Sequence, residues 1–133
     1  MDYTLSNGDV VQLRDRSTLT QRMNLPVLAA DTRATPVRKK LIDAGYRAED
    51  PSTFGIEYEL PLEDFQRLND VKTALIAAMV VAWPWDLPIT IEGADSVHPD
   101  VFEELASACM AAYQGTPIEI DPDPNLPGAD STD

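Results

Sequence analysis

From Ala74 to Trp83 all ten residues are apolar, and a run of this kind must be covered on most of its sides. As a helix it rises only about 15 Å, half of what a bilayer core of about 30 Å demands. A membrane span is therefore excluded, and a buried helix is expected. The run extends a helical pattern set upstream, where Leu62, Phe65, Leu68, Val71, Leu75 and Met79 recur at three- and four-residue steps. Val80 and Val81 lean toward strand, but Ala77, Ala78 and Ala82 lean toward helix. Pro61 marks the start, Glu63 and Asp64 complement the helix dipole, and Pro84 ends it. The sequence thus predicts a central apolar helix over residues 62–83.

The rest of the chain must supply its cover. At 133 residues one domain with a real core is expected, here residues 1–115, with 116–133 as an acidic, proline-rich tail. Tyr3–Leu5 and Val10–Leu13 are strand candidates, and Asn7-Gly8 between them predicts a hairpin with a type I′ turn. A third strand is expected over Phe54–Leu60, where Ile56, Tyr58 and Leu60 alternate with Glu57 and Glu59. Ser17 is read as the cap of a short helix over Thr18–Met23, stopped at Leu25-Pro26. Residues 27–35 then read as a loop or arm, and Thr35-Pro36 as the start of a helix that Gly45 stops. Trp83-Pro84-Trp85 turns the chain out of the central helix, and Ile89–Ile91 follows as a short edge strand or extended link. Pro99 opens a last helix whose stripe is Phe102, Leu105, Ala106, Cys109, Met110 and Tyr113, with Gly115 as its stop. The fold class is α+β: a small N-terminal antiparallel sheet with helices packed around the 62–83 helix.

Charge narrows the partners. The formal net charge is −13, which repels a phosphate backbone and excludes sequence-independent nucleic-acid binding. All ten Lys and Arg lie between Arg14 and Lys72, and from residue 73 onward there are eleven acids and neither Lys nor Arg. Such asymmetry marks an interaction surface or a solubilising tail. Arg38, Lys39 and Lys40 form the one dense basic cluster, either a solvated helix face or a docking point for an acidic partner or for the chain's own acidic half.

Chemistry finds little purchase. Cys109 is the only cysteine, so no internal disulfide forms, and its place on an apolar stripe reads as a buried, inert thiol. Met1 is followed by Asp2 and a polar hairpin, so no signal peptide is read and a reducing cytoplasm is expected. Asp121, Asp123 and Asn125 open like a calcium loop, but Leu126 stands where glycine is required and Thr132 where the closing glutamate belongs. His98 has no second His or Cys nearby for a transition metal and reads as a helix-boundary residue. There is no G-x-S-x-G elbow, phosphate-cradling loop or dinucleotide fingerprint. No cofactor, metal or catalytic residue is expected, and the chain reads as a non-enzyme.

Interaction is what remains. The apolar helix, the WPW corner and the acidic tail would suit a protein that keeps hydrophobic partner segments soluble, or a subunit of a larger assembly. Trp83 reads more as core closure than as partner contact, while Trp85 divides evenly between the two. The candidate partner-binding residues are Trp83, Trp85, Phe102 and Met110.

The order LEDFQRLNDVKTALIAAMVVAW, then LPIT, then HPDVFEELASACMAAY and a Pro/Asp/Ser-rich tail resembles the small tail assembly chaperones of long-tailed phages infecting actinobacteria. The opening TLSNGDVVQLR is similar to the start of such proteins. The resemblance covers about residues 57–130 and does not extend to residues 14–50. It implies a non-enzymatic protein that binds the aggregation-prone tape measure protein in the cytoplasm of the infected host. The chaperone holds that partner until tail tube subunits polymerise around it, and it is absent from the finished virion. It also implies a longer product made by ribosomal frameshifting, and no catalytic residues. The tail tube protein and a second copy of the chain are further partners to consider. The competing reading is a virion structural subunit, a head–tail connector or tail terminator, favoured by an arm at residues 27–35. A DNA-mimicking inhibitor is the third, and five acids in the tail count against it.

Overall fold

The computed structural model describes residues 1–115, and the expected tail, with its calcium-loop-like aspartates, lies outside them. The fold is α+β, with a three-stranded antiparallel sheet in the order β1-β2-β3. Strands β1 (Asp2–Thr4) and β2 (Val10–Leu13) make the expected hairpin, with Tyr3 opposite Val11. Its turn is not type I′. Gly8 has φ +95°, but Asn7 keeps negative φ. The Gly8 N–H bonds the Leu5 carbonyl at 2.9 Å and the Leu5 N–H bonds the Asp9 carbonyl at 2.7 Å. That is a three-residue loop closed by a left-handed glycine. Asn7 steadies it by accepting from the Asp9 N–H at 2.9 Å.

The third strand is not residues 54–60. Those fall largely within Pro51–Glu59, which coils into 3-10 turns tied back when the Thr53 hydroxyl accepts from the Arg47 N–H at 2.9 Å. Phe54 stacks on Tyr46 at 5.8 Å instead of joining the sheet. The strand that does pair with β2 is β3 (Val80–Ala82), with Leu13 opposite Val80.

The central helix is accordingly shorter than 62–83. Helix α2 runs Leu62–Met79 and hands over directly to β3. Two β-branched residues meet an open strand edge there, and pairing outweighs the helix preference of the neighbouring alanines. Arg14 completes the switch: its N–H bonds the Met79 carbonyl at 2.6 Å and its side-chain Nε donates to the Ala78 carbonyl at 3.0 Å. A cation thus satisfies a terminal carbonyl at the negative end of α2.

Residues 27–35 are neither loop nor arm, and Thr35-Pro36 starts no helix. One helix, α1 (Gln21–Asp43), runs through Pro26 and Pro36 alike. Its start is capped by Thr20, whose hydroxyl accepts from the Met23 N–H at 3.2 Å, while Ser17 lies in a separate 3-10 turn capped by Asp15. An interior proline costs about 3 kcal/mol. Against that, α1 buries Val27, Ala30, Ala34, Val37 and Leu41, an unbroken three- and four-residue stripe facing α2. Beside Pro36, the Thr35 hydroxyl and the Arg38 guanidinium both bond the Asp31 carbonyl, at 2.9 and 3.2 Å. Gly45, at φ +107°, stands just past the helix end as expected.

After the WPW corner, Ile89 and Thr90 join no strand, and Ile91, the last residue of the expected strand or link, opens a short helix, α3 (Ile91–Asp95). Thr90 caps it, and Gly93 meets the backbone of Pro88 so closely that a Cβ there would lie 1.7 Å from its carbonyl oxygen. Helix α4 (Pro99–Gln114) matches expectation: His98 caps it, with Nδ1 accepting from the Asp100 N–H at 3.1 Å, and Gly115 ends it at φ +72°. The core joins Leu5, Val11 and Leu13 of the hairpin with Leu75, Ile76 and Met79 of α2 and Leu105 and Cys109 of α4.

Candidate functional site

Two ion pairs and one hydrogen bond set the helix layout. Lys40, near the end of α1, holds buried Asp64, near the start of α2, at 2.6 Å. The Tyr113 hydroxyl, near the end of α4, donates to Asn24, near the start of α1, at 2.7 Å. Lys72 of α2 holds Glu103 of α4 at 2.8 Å. Helix α1 therefore runs antiparallel to α2, with its start beside the end of α4, and the three enclose a trough.

The floor of the trough is apolar: Leu68, Val71 and Leu75 from α2, Leu41 from α1, and Ala106 and Met110 from α4. Its rim carries Arg38, Lys72, Glu103 and Gln114. The volume is about 520 Å³, and a further hollow of about 220 Å³ continues it past Met110 toward Val27 and Leu28. Met110 is 37% exposed and Leu28 43%, so part of this surface lacks the apolar cover it would gain from another chain segment. The helix periodicities explain why. Val71 sits at the boundary between the faces of α2 that α1 and α4 cover and stays half-buried, while Leu75, one turn on, is fully buried.

A second hollow, about 590 Å³, lies between the hairpin turn and the start of α4, lined by Ser6, Asn7, Trp85, Leu87, Val97 and His98. Several of its polar groups are already engaged. Asn7 bonds Asp9, His98 caps Asp100, and the Trp85 indole N–H donates to the Asp9 carboxylate at 3.1 Å. It offers far less unsatisfied apolar surface than the trough.

The four sequence candidates do not come together. Phe102 is buried in the core, and Trp83 and Trp85 are half-buried against it. The Trp83 indole donates to the Leu87 carbonyl at 2.9 Å, and the two indole rings meet at 5.3 Å. The corner is bound to its own chain. Only Met110 reaches the trough. Residues Leu68, Val71 and Leu75 were visible as a helical stripe, but the partial exposure of Leu68 and Val71 followed from α1, whose course the prolines obscured.

Burial pushes the Cys109 thiol up to about 12, in keeping with an inert side chain. Among the described residues no three His, Cys, Asp or Glu side chains gather as a metal site, and no helix is long and apolar enough to cross a membrane. The clearest polar cluster is Glu104. Its carboxylate accepts from the Ser6 N–H at 3.0 Å, the Ser6 hydroxyl at 2.9 Å and the Tyr3 hydroxyl at 3.3 Å. These bonds lower its pKa, the Ser6 N–H most, and they fasten the hairpin to α4. Comparison with protein families, with curated proteins and with solved structures finds no match for the chain.

Proposed function

We propose that this chain is a non-enzymatic phage tail assembly chaperone, and that the trough over α2 receives an apolar helical segment of the tape measure protein. The observation that carries the reading is the trough itself, an apolar floor between three helices with a charged rim. A helix laid along α2 would complete a four-helix arrangement, and packed helix axes lie about 8–10 Å apart. Recognition of this kind places a helix's apolar face in a groove through residues at three- and four-residue steps. The resemblance of residues 57–130 to tail assembly chaperones supplies the partner's identity and the host cytoplasm as the place of action.

The net charge of −13 fits a holder that keeps an aggregation-prone partner dispersed. The competing virion-subunit reading loses its one favouring observation, since residues 27–35 are interior to α1 and not an arm. Co-expression with the tape measure protein of the same phage tests the proposal. Recovery of a soluble complex, with the chain missing from purified particles by mass spectrometry, is the expected result. Recovery of the chain in the particle at fixed stoichiometry would overturn it.

A further inference from the structure

The Asn7-Gly8 pair shapes the hairpin turn, but its chemistry reaches further. The backbone nitrogen that follows an asparagine can attack the side-chain amide carbon and close a five-membered imide. A side chain on the following residue crowds that attack, and glycine has none. Of the four asparagines in the chain only Asn7 precedes glycine, while Asn24, Asn69 and Asn125 precede Leu25, Asp70 and Leu126.

Both reacting groups lie at the surface. Asn7 is exposed, and a Cβ built on Gly8 would meet nothing within 4 Å, so an imide ring has room to form. The fold nonetheless restrains each group. The Gly8 N–H donates to the Leu5 carbonyl at 2.9 Å. The Asn7 Oδ1 accepts from the Asp9 N–H at 2.9 Å, and its Nδ2 donates to the Asp9 carboxylate at 3.0 Å, a local bond of the kind asparagine makes in turns. Attack requires the Gly8 nitrogen to leave its acceptor and the Asn7 amide to swing off Asp9. Asp9 is itself anchored, because its Oδ2 also accepts from the Trp85 indole at 3.1 Å.

We propose that Asn7 is a spontaneous modification site, converted to aspartate and isoaspartate, and that Asp9 and the Leu5 carbonyl hold the reaction back in the folded chain. The Gly8 nitrogen bonds to Asn7 Cγ and gives up its proton, the Cγ–Nδ2 bond breaks, and ammonia leaves with that proton. Water then adds to either imide carbonyl and opens the ring, so no oxidant or reductant takes part. Loss of ammonia to solvent makes the change one-way. The product sets a carboxylate where Nδ2 had donated, against Asp9, and like charges so close disfavour the turn. Isoaspartate also adds a carbon to the main chain between β1 and β2. The reaction depends neither on the trough nor on any partner.

Peptide mapping by mass spectrometry tests it, on the full chain held at mildly alkaline pH with and without guanidinium chloride. Asn7 should convert about tenfold or more slowly in the folded chain, the factor for a turn open one-tenth of the time or less. Asn24 and Asn69, inside helices and followed by bulkier residues, are the internal standards. Asp9→Ala, with its fold checked by circular dichroism, should convert Asn7 about threefold or more faster than wild type, as loss of one hydrogen bond implies. An Asn7 amide that survives in the denatured chain would overturn the site. Equal rates with and without denaturant, or a folded Asp9→Ala that converts no faster, would overturn the restraint. Should Asp9→Ala not fold, the wild-type comparison decides alone.

Discussion

Lys72 on α2 bonds both carboxylate oxygens of Glu103 on α4, at 2.8 and 3.0 Å, and so ties together two walls of the trough. The pair is partly exposed, with 37% of the lysine side chain and 69% of the glutamate accessible. Water and salt therefore screen it, and its worth is about 0.5 kcal/mol. Lys72→Ala should lower stability by no more than this, and a double-mutant cycle with Glu103→Ala should return a coupling of the same size that shrinks in high salt. Urea denaturation of the four proteins measures it. A coupling of several kcal/mol would show that the pair is shielded from solvent.

The Lys40–Asp64 pair behaves differently because Asp64 is buried. Its side chain is 4% exposed, and beyond Lys40 at 2.6 Å the other cation near it is Arg67 at 3.9 Å. Removing Lys40 strips a buried carboxylate of its nearest countercharge, which costs more than an exposed pair is worth. Lys40→Ala should destabilise by about 2 kcal/mol, and Lys40→Ala/Asp64→Asn by less. Thermal melts of both variants decide the order.

Acid should loosen the hairpin. Glu104 titrates below its usual 4.5 in the folded chain because the Ser6 N–H and hydroxyl, and then the Tyr3 hydroxyl, stabilise the carboxylate against a smaller opposing effect of burial. A depressed folded pKa contributes stability that is complete above the unfolded value and is lost as pH falls through the folded one. Asp15 and Asp50, lowered by bonds from Ser17 and Ser52, act in the same direction. Glu104→Gln should therefore flatten, without abolishing, the loss of stability below about pH 4.5. The Ser6 amide resonance should titrate with Glu104 in wild type and stay still in the variant.

Gly93→Ala probes the link between the WPW corner and α3. The added methyl would collide with the Pro88 carbonyl at 1.7 Å, and the backbone on one side must move. A cost of about 3 kcal/mol is expected, at the upper end for overpacking, read from the urea midpoint. Gly55, which has open space around it, serves as the control for the loss of a glycine.

Much of this fold was legible in residues whose local signals agree with their packing. The hairpin pattern and the α4 stripe with Pro99 and Gly115 at its ends persist in the structure. The α2 stripe persists toward its C-terminal end at Leu75 and Met79, while Leu62 and Phe65 at its start are exposed. The errors lie where a local signal met a stronger tertiary one. Pro26 and Pro36 read as boundaries, yet the stripe from Val27 to Leu41 holds α1 together across both. Val80 and Val81 read as helix by continuity, yet the open edge of β2 takes them as strand. Ile56 and Leu60 alternate with acids like a strand, but β3 already occupies the place beside β2. The course of α1 also decides whether the trough is legible. Without an intact α1 there is no trough, so of the candidate residues Met110 alone lines it, while the core and the hairpin hold Phe102, Trp83 and Trp85.

The most direct measurement is calorimetric titration of the full chain with a helical segment of the tape measure protein, using wild type and Met110→Glu. Met110 is exposed enough to accept a charge without unfolding, which circular dichroism will verify. Wild type should bind with a negative heat-capacity change, the mark of apolar burial. Met110→Glu should weaken binding about tenfold or more, equal to about 1.4 kcal/mol. Equal affinity of the two proteins would place the partner elsewhere and contradict the trough as its seat.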